Sequence, residues 1–199
     1  MLYLSGVARP GLPFMTSPNI GNRIPDGVLW AADNGRFSAP QRYTDAKFLA
    51  WLDGKPRERC LFATAPDVVG DAKATLALSA PMFASIRAAG YPVALVAQDG
   101  LENLPVPWDD FDALFIGGST AWKLSTAAAD LAGEAHRRGK WVHMGRVNSL
   151  RRLKYADAIG CDSADGTVLK HDPKRPVGEW SEAIAASPSL WRAHGGVPQ

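Results

Sequence analysis

Short apolar runs, repeated along the chain and separated by stretches with helical patterning, are the feature that most narrows the folds open to this sequence. The runs are Leu2–Ser5, Val28–Ala32, Cys60–Ala63, Pro92–Ala97, Ala113–Ile116, Trp141–Met144 and Ala158–Cys161. Turn-forming or charged residues flank most of them, so each reads as a buried strand. Between them Thr44–Leu52, Asp71–Ala89, a segment from Ser119 or Thr120 to about Arg138, and Leu150–Ala156 read as helices. Gly54 lies just past the first helix, and Asn148 or Ser149 is placed to cap the last. Pro81 is expected to kink or divide the second. Residues 6–27, with several Pro and Gly and few apolar runs, read as a long ordered loop.

Strands alternating with helices specify a parallel α/β arrangement. A barrel of eight strand-helix units takes about 250 residues, and this chain has 199. The expected fold is therefore a compact or incomplete TIM-like (β/α) barrel, one domain over residues 1–199, with an eighth strand near Val168 left open. A doubly wound open sheet is the alternative. No GxGxxG follows the first strand and no Walker loop is present, which argues against the nucleotide-cofactor forms of that alternative. No redox cofactor or ATP is implied.

In parallel sheets chemistry is placed at the carboxyl ends of the strands. The groups that follow the runs here are Asp33, Asp67, Gln98, Gly117, Gly118, Arg146, Asp162 and Asp165. A single acid in such a place caps a helix or makes a turn; several polar groups converging on one face ask for another explanation. Carboxylates beside an amide and backbone N–H groups suit displacement at a sugar carbon, in which one carboxylate attacks and another manages protons. They also suit a divalent cation, but no His joins the acids at a ligand spacing, and no metal site is expected. His143, inside a strand, reads as a core or supporting histidine, while His136, His171 and His194 show no pattern.

A net charge of +2 argues against a strongly electrostatic nucleic-acid coat. A local basic patch remains available in Arg137, Arg138, Lys140, Arg146, Arg151, Arg152 and Lys154. Cys60 and Cys161 are the only cysteines, so a disulfide framework is not expected and a reducing cytoplasm is. No apolar run reaches the roughly 18 residues that cross a membrane, and the expectation is a soluble cytoplasmic protein with no membrane partner.

Several of the strand-end segments also carry a family resemblance. Leu29–Phe37, LWAADNGRF, resembles the strand and acidic turn of queuine/guanine transglycosylases: an aspartate, a small polar residue, a glycine and a later phenylalanine. Ala65-Pro66-Asp67 resembles the position of that family's second aspartate. Val96-Ala97-Gln98-Asp99-Gly100 is similar to its Val-Gln-Gly strand end, Phe115-Ile116-Gly117-Gly118 to its Ile-Gly-Gly turn, and Met144-Gly145 to its Met-Gly pair. Gly160-Cys161-Asp162-Ser163-Ala164-Asp165 has the Gly-x-Asp-x-x-Asp spacing that carries its nucleophile. The matches keep the family's order from about residue 29 to 167.

The resemblance implies that Asp165 attacks sugar C1′ and holds a covalent glycosyl-enzyme intermediate, with Asp33 as general base or proton-handling partner. It implies that Asp67 accepts hydrogen bonds from N1 and the exocyclic amino group of guanine, while the Gln98 amide and the backbone N–H near Gly118 donate to O6. Gly117, Asp162 and Arg146 are expected among the substrate-binding residues. Arg146, Arg151 and Arg152 are placed to hold flanking phosphates, and Trp30, Trp122 or Trp141 to stack on a base. The family's zinc site of three closely spaced cysteines and a histidine has no counterpart here, and the chain is shorter than tRNA-modifying members. In type it resembles the DNA 7-deazaguanine transglycosylases, including those of bacteriophages. The expected activity is that of a pentosyltransferase exchanging guanine in DNA, rather than tRNA, for a free 7-deazapurine, in the host cytoplasm if the source is a phage. A base in a duplex must be flipped out, or single strands used. The alternatives are a nucleic-acid or nucleoside N-glycosidase and a non-catalytic nucleic-acid-binding barrel subunit.

Overall fold

Period-two alternation in very short strands decides what fills the interior. The computed structural model describes residues 1–9 and 11–171. Eight parallel strands close into a barrel in sequence order: β1 (Leu2–Ser5), β2 (Phe14–Thr16), β3 (Trp30–Ala32), β4 (Cys60–Thr64), β5 (Val93–Ala97), β6 (Ala113–Ile116), β7 (Trp141–Met144) and β8 (Ser163–Gly166). Helix α1 (Asp45–Asp53) follows β3, α2 (Ala72–Ala88) follows β4, α3 (Thr120–Lys123) and α4 (Thr126–Arg137) follow β6, α5 (Leu150–Ala158) follows β7 and α6 (Val168–His171) follows β8, while two short 3-10 turns join β5 to β6. The fold is a closed (β/α) barrel of the TIM type, not an open doubly wound sheet. The expected single domain runs on to Gln199, and His194 with it, beyond the described residues.

The inward side chains Leu4, Met15, Ala31, Phe62, Ala94 and Ala113 form the inner cluster, with Phe115 and Trp141 packed against it. Three alanines among them leave the volume that the larger side chains occupy. The outward side chains, among them Trp30, Val93, Leu95, Leu114, Ile116 and Val142, form a second layer with Phe48, Leu52, Phe83, Ile86, Leu131 and Leu153 of the helices. Between β3 and β4 the register moves from Trp30–Cys60 to Ala32–Ala63, which places one additional residue in β4. That irregularity lets both Leu61 and Phe62 approach the inner cluster.

The structure corrects several expectations. The loop over residues 6–27 contains β2, paired with β1 through Ser5–Phe14 and with β3 over all its residues. Three residues between Pro13 and the Ser17-Pro18 pair carry too little pattern to be read as a strand. The open question of an eighth strand is answered there and not near Val168, which begins α6. Pro81 does not divide α2; it lies on the solvent-exposed side, where the carbonyl it leaves unbonded meets water. The expected single helix to Arg138 is two, because Ser119 caps α3 and Ser125 caps α4, each side chain accepting from the N–H three residues on.

The most consequential correction is at the end of the barrel. Ala158 ends α5, which Ser149 caps, and Gly160 takes a left-handed φ of 84° that turns the chain. The strand then starts at Ser163. Asp162 therefore precedes β8, at its amino end, while Asp165 lies within it, paired with Leu4 of β1. Asp162 Oδ2 accepts from the Val142 N–H at 2.7 Å and lies 3.1 Å from His136 Nε2. It closes the end of the barrel opposite the strand carboxyl ends.

We predict that Asp162→Ala lowers unfolding stability by about 2 kcal/mol, since the buried Val142 N–H loses its acceptor. Urea denaturation measures this. An unchanged midpoint would show that Asp162 does not hold the β7–β8 junction.

Candidate active site

At the carboxyl ends of the strands a cavity of about 90 Å³ is lined by Asp33, Asn34, Phe37, Thr64, Asp67, Val69, Val96, Gln98, Phe115, Gly117, Arg146 and Asp165. Asp33, Asp67, Gln98, Gly117, Arg146 and Asp165 had been singled out in the sequence, and they come from β3, β4, β5, β6, β7 and β8 or the turns after them. Asp162 does not join them. Gly118 is the next residue after Gly117. Arg151 and Arg152 sit in the first turn of α5, Arg151 exposed, Arg152 half-buried and donating to Arg146 O at 3.4 Å.

Gln98 is the hub. Its Oε1 accepts from the N–H groups of Gly70 (2.9 Å) and Gly118 (3.0 Å), and its Nε2 donates to Asp67 Oδ2 at 2.7 Å. Two backbone donors on one side settle which end of the amide is oxygen. The second Nε2 hydrogen remains for a ligand. The Gly118 N–H, in the turn expected to supply a backbone donor to O6, is committed to Gln98 Oε1. A Cβ on Gly117 would stand 2.7 Å from Val96 Cγ1 and 3.0 Å from Gln98 Nε2, so only glycine leaves the amide in place.

Asn34, which sequence reasoning passed over as the small polar residue after Asp33, is a buried strut. Its Nδ2 reaches Thr64 Oγ1 (3.0 Å), Ala65 O (2.9 Å) and, more distantly, Asp67 Oδ1 (3.4 Å). Arg36 Nη1 donates to Asp67 O at 2.5 Å. Burial pushes the Asp67 carboxyl above the usual carboxylate range, opposed by the Asn34 and Gln98 hydrogen bonds and the Arg36 charge. Burial also pushes Asp33 up to about 6, against the Gly35 N–H that it accepts at 2.6 Å and with help from the charges of Asp165 and Asp67.

Arg146 straps the turn after β6. It adopts a left-handed φ of 59°, its Nη2 donates to the Gly118 carbonyl, and its guanidinium lies 5.8 Å from the Phe37 ring. The buried Lys123 donates to Gly145 O at 2.6 Å, with its own pKa pulled down to about 7 by burial and by Arg146. The peptide carrying Arg146 is thus fastened from beneath.

The basic patch read from the sequence is split by the fold. Arg137, Arg138 and Lys140 lie at the opposite end of the barrel, the first two bonded to Glu134 and the lysine to Phe111 O. Arg146, Arg151 and Arg152 follow β7 at the cavity end. None of the tryptophans marked for stacking lines the cavity: Trp30 packs on Tyr91, Trp122 Nε1 donates to Glu102 and Trp141 Nε1 to Ser163. The aromatic rings that do are Phe115, within the barrel, and Phe37, 64% exposed at the rim. Cys60, on β4, and Cys161, in the turn before β8, are free thiols, and among the described residues no three His, Cys, Asp or Glu side chains are grouped to hold a metal ion. The cysteine-rich zinc site of the resembled family does not fit this chain. No helix among the described residues is long and apolar enough to cross a membrane.

No protein-family model and no curated protein sequence matches this chain. Among solved structures it is similar to the Amycolatopsis orientalis BexX/CysO complex, with 15% identity, a TM-score of 0.57 and coverage of 99% of this chain and 93% of that one. It is also similar to native KDPGal, with 14% identity, a TM-score of 0.56 and coverage of 96% and 93%. A third match is the Bacillus subtilis YkuI protein, with an EAL domain, in complex with substrate c-di-GMP and calcium: 15% identity and a TM-score of 0.42 over 80% of this chain, which spans 45% of that one. At such identities the first two likenesses are likenesses of fold.

The raised Asp33 carboxyl has a measurable consequence. Its proton is held to about pH 6 in the folded chain and lost near 4 in an unfolded one. The folded state binds more protons in that window, so stability falls as pH rises from about 4 to about 6. Carbon-13 NMR of the side-chain carboxyls should show Asp33 titrating near 6 and moving down in Asp165→Asn. Titration near 4 in the wild type would contradict the burial of Asp33 described here.

Proposed function

We propose that this chain is an enzyme, a pentosyltransferase that exchanges guanine in DNA for a 7-deazaguanine derivative through a covalent Asp165–sugar intermediate. The observation that carries the reading is one cavity holding three kinds of group: the Asp165 carboxyl, an Asp33 carboxyl pushed up to about 6, and the coupled Asp67–Gln98 edge. The ordered resemblance to the queuine/guanine transglycosylases falls on these residues.

Guanine presents N1–H and an exocyclic amino group beside the O6 acceptor. Asp67 keeps lone pairs for the two donors, and the free Nε2 hydrogen of Gln98 faces the acceptor. In the first half-reaction an Asp165 oxygen forms a bond to C1′ as the C1′–N9 bond breaks, its electron pair leaving with the purine and Asp33 supplying the proton. In the second half-reaction the Asp33 carboxylate takes a proton from the incoming deazapurine. Its ring nitrogen bonds to C1′, and the Asp165 ester bond breaks with its electrons returning to the carboxylate. A carboxyl poised near neutrality suits both directions of proton transfer.

The rim favours a base taken out of a strand. Phe37, Val69 and Ile20 on the loops and Leu150 at the start of α5 are exposed apolar side chains at this end, and a base stacked on the Phe37 ring is worth about 1–3 kcal/mol. A cavity of about 90 Å³ is smaller than the roughly 300–1,000 Å³ of most ligand pockets. Entry of a purine therefore moves the rim carrying Phe37 and Val69.

The test is base exchange with DNA and tRNA in parallel, labelled guanine or 7-cyano-7-deazaguanine as the incoming base, and nucleoside mass spectrometry. Label is expected in DNA and not in tRNA, with loss of at least about 10³-fold in Asp165→Asn. Release of free guanine without incorporation would instead make the chain a glycosidase. No label and no release, with DNA binding retained in Asp165→Asn, would make it a binding barrel.

A further inference from the structure

His143 faces the barrel interior at 0% exposure, between the rings of Phe62 (5.1 Å) and Phe115 (4.5 Å). A histidine so enclosed is usually a satisfied core residue, but this one reaches the candidate site. Its Nδ1 lies 2.8 Å from Ser163 Oγ and its Nε2 3.0 Å from Asp165 Oδ1. Trp141 Nε1 donates to the same Ser163 oxygen at 2.8 Å. An indole nitrogen is only a donor, so the Ser163 oxygen accepts in that bond and its hydroxyl hydrogen goes elsewhere. The available acceptor is His143 Nδ1. That leaves the imidazole hydrogen on Nε2, where it donates to Asp165.

We propose that Trp141, Ser163 and His143 form a hydrogen-bonded file whose role is to orient the Asp165 carboxyl, holding Oδ1 and leaving Oδ2 as the reacting atom. The inference rests on the transglycosylase reading. Among the described residues no hydrogen bond engages Oδ2. With Oδ1 held by a ring wedged between two aromatic side chains, the carboxyl loses its freedom to rotate, and one oxygen is presented to C1′. When Oδ2 carries the sugar, Oδ1 becomes the ester carbonyl oxygen and keeps the Nε2–H bond. That bond strengthens as the ester breaks and charge returns to the carboxyl. His143 transfers no proton; it is a positioning residue.

Two measurements on the full chain test this. Base-exchange kinetics should show His143→Leu with kcat lower by about 100-fold and KM for DNA within about threefold. His143→Gln, whose amide can present an N–H near the place of Nε2–H, should regain at least about tenfold. Should the leucine variant not fold by circular dichroism, Ser163→Ala takes its place with an expected drop of about tenfold. Independently of turnover, nitrogen-15 NMR of the imidazoles should show wild-type His143 as the Nε2–H tautomer with a bare Nδ1. A folded leucine variant exchanging base within twofold of wild type, or an Nδ1–H tautomer, overturns the proposal. A wild type with the Nε2–H tautomer but no exchange on DNA or tRNA sinks the transglycosylase reading alone, since the spectrum still supports the orientation of Asp165.

Discussion

The pairing of β1 with β8 is the contact on which the rest depends, because it closes the barrel and sets which side chains have an inside to face. Leu2, Tyr3, Leu4 and Ser5 lie opposite Ser163, Ala164, Asp165 and Gly166. In that register Ala164 joins the layer against the helices, while Ser163 and Asp165 turn inward. A slip of one residue would exchange the two faces, burying an aspartate among apolar side chains and leaving an alanine at the mouth. The pairing of β7 with β8 repeats the constraint, setting His143 opposite Ser163.

Within that frame the site is assembled largely from groups that hold one another. Gln98 joins the turns after β4, β5 and β6; Asn34 joins those after β3 and β4; Arg146 clasps the glycine turn after β6. The same enclosure buries the Asp33 and Asp67 carboxyls and pushes both up, Asp33 with smaller help from the charges of Asp165 and Asp67. Charge held in this way is unfavourable to the empty protein, and clusters of this kind are where catalytic groups are found.

Much of this was legible in the sequence, for reasons that particular residues make plain. The runs VALVA and ALFI are continuous and apolar because strands enclosed on both faces need no polar side, so β5 and β6 are visible without a structure. Asp33 and Gln98 follow such runs directly and Asp67 three residues after β4, which places them at the mouth of any parallel barrel. β2 was hidden because three residues between prolines carry no period. Asp162 was misplaced because Ala158–Cys161, apolar enough for a strand, is the end of a helix and its turn, and a shift of a few residues moved Asp162 to the far end of the barrel while bringing Asp165 inward. The partners of the Gly118 N–H and of Trp30, Trp122 and Trp141, which are Gln98, Tyr91, Glu102 and Ser163, were not legible for a different reason: they are remote in sequence, and no local pattern announces them.

The central claim is that Asp165 forms a bond to sugar. The most direct measurement is to incubate the protein with guanine-containing DNA, denature it without an incoming base, and map any covalent adduct by peptide mass spectrometry. The account predicts one deoxyribose-linked peptide, attached through Asp165 and absent in Asp165→Asn. An adduct on Asp33, or base exchange that survives in Asp165→Asn, would contradict it.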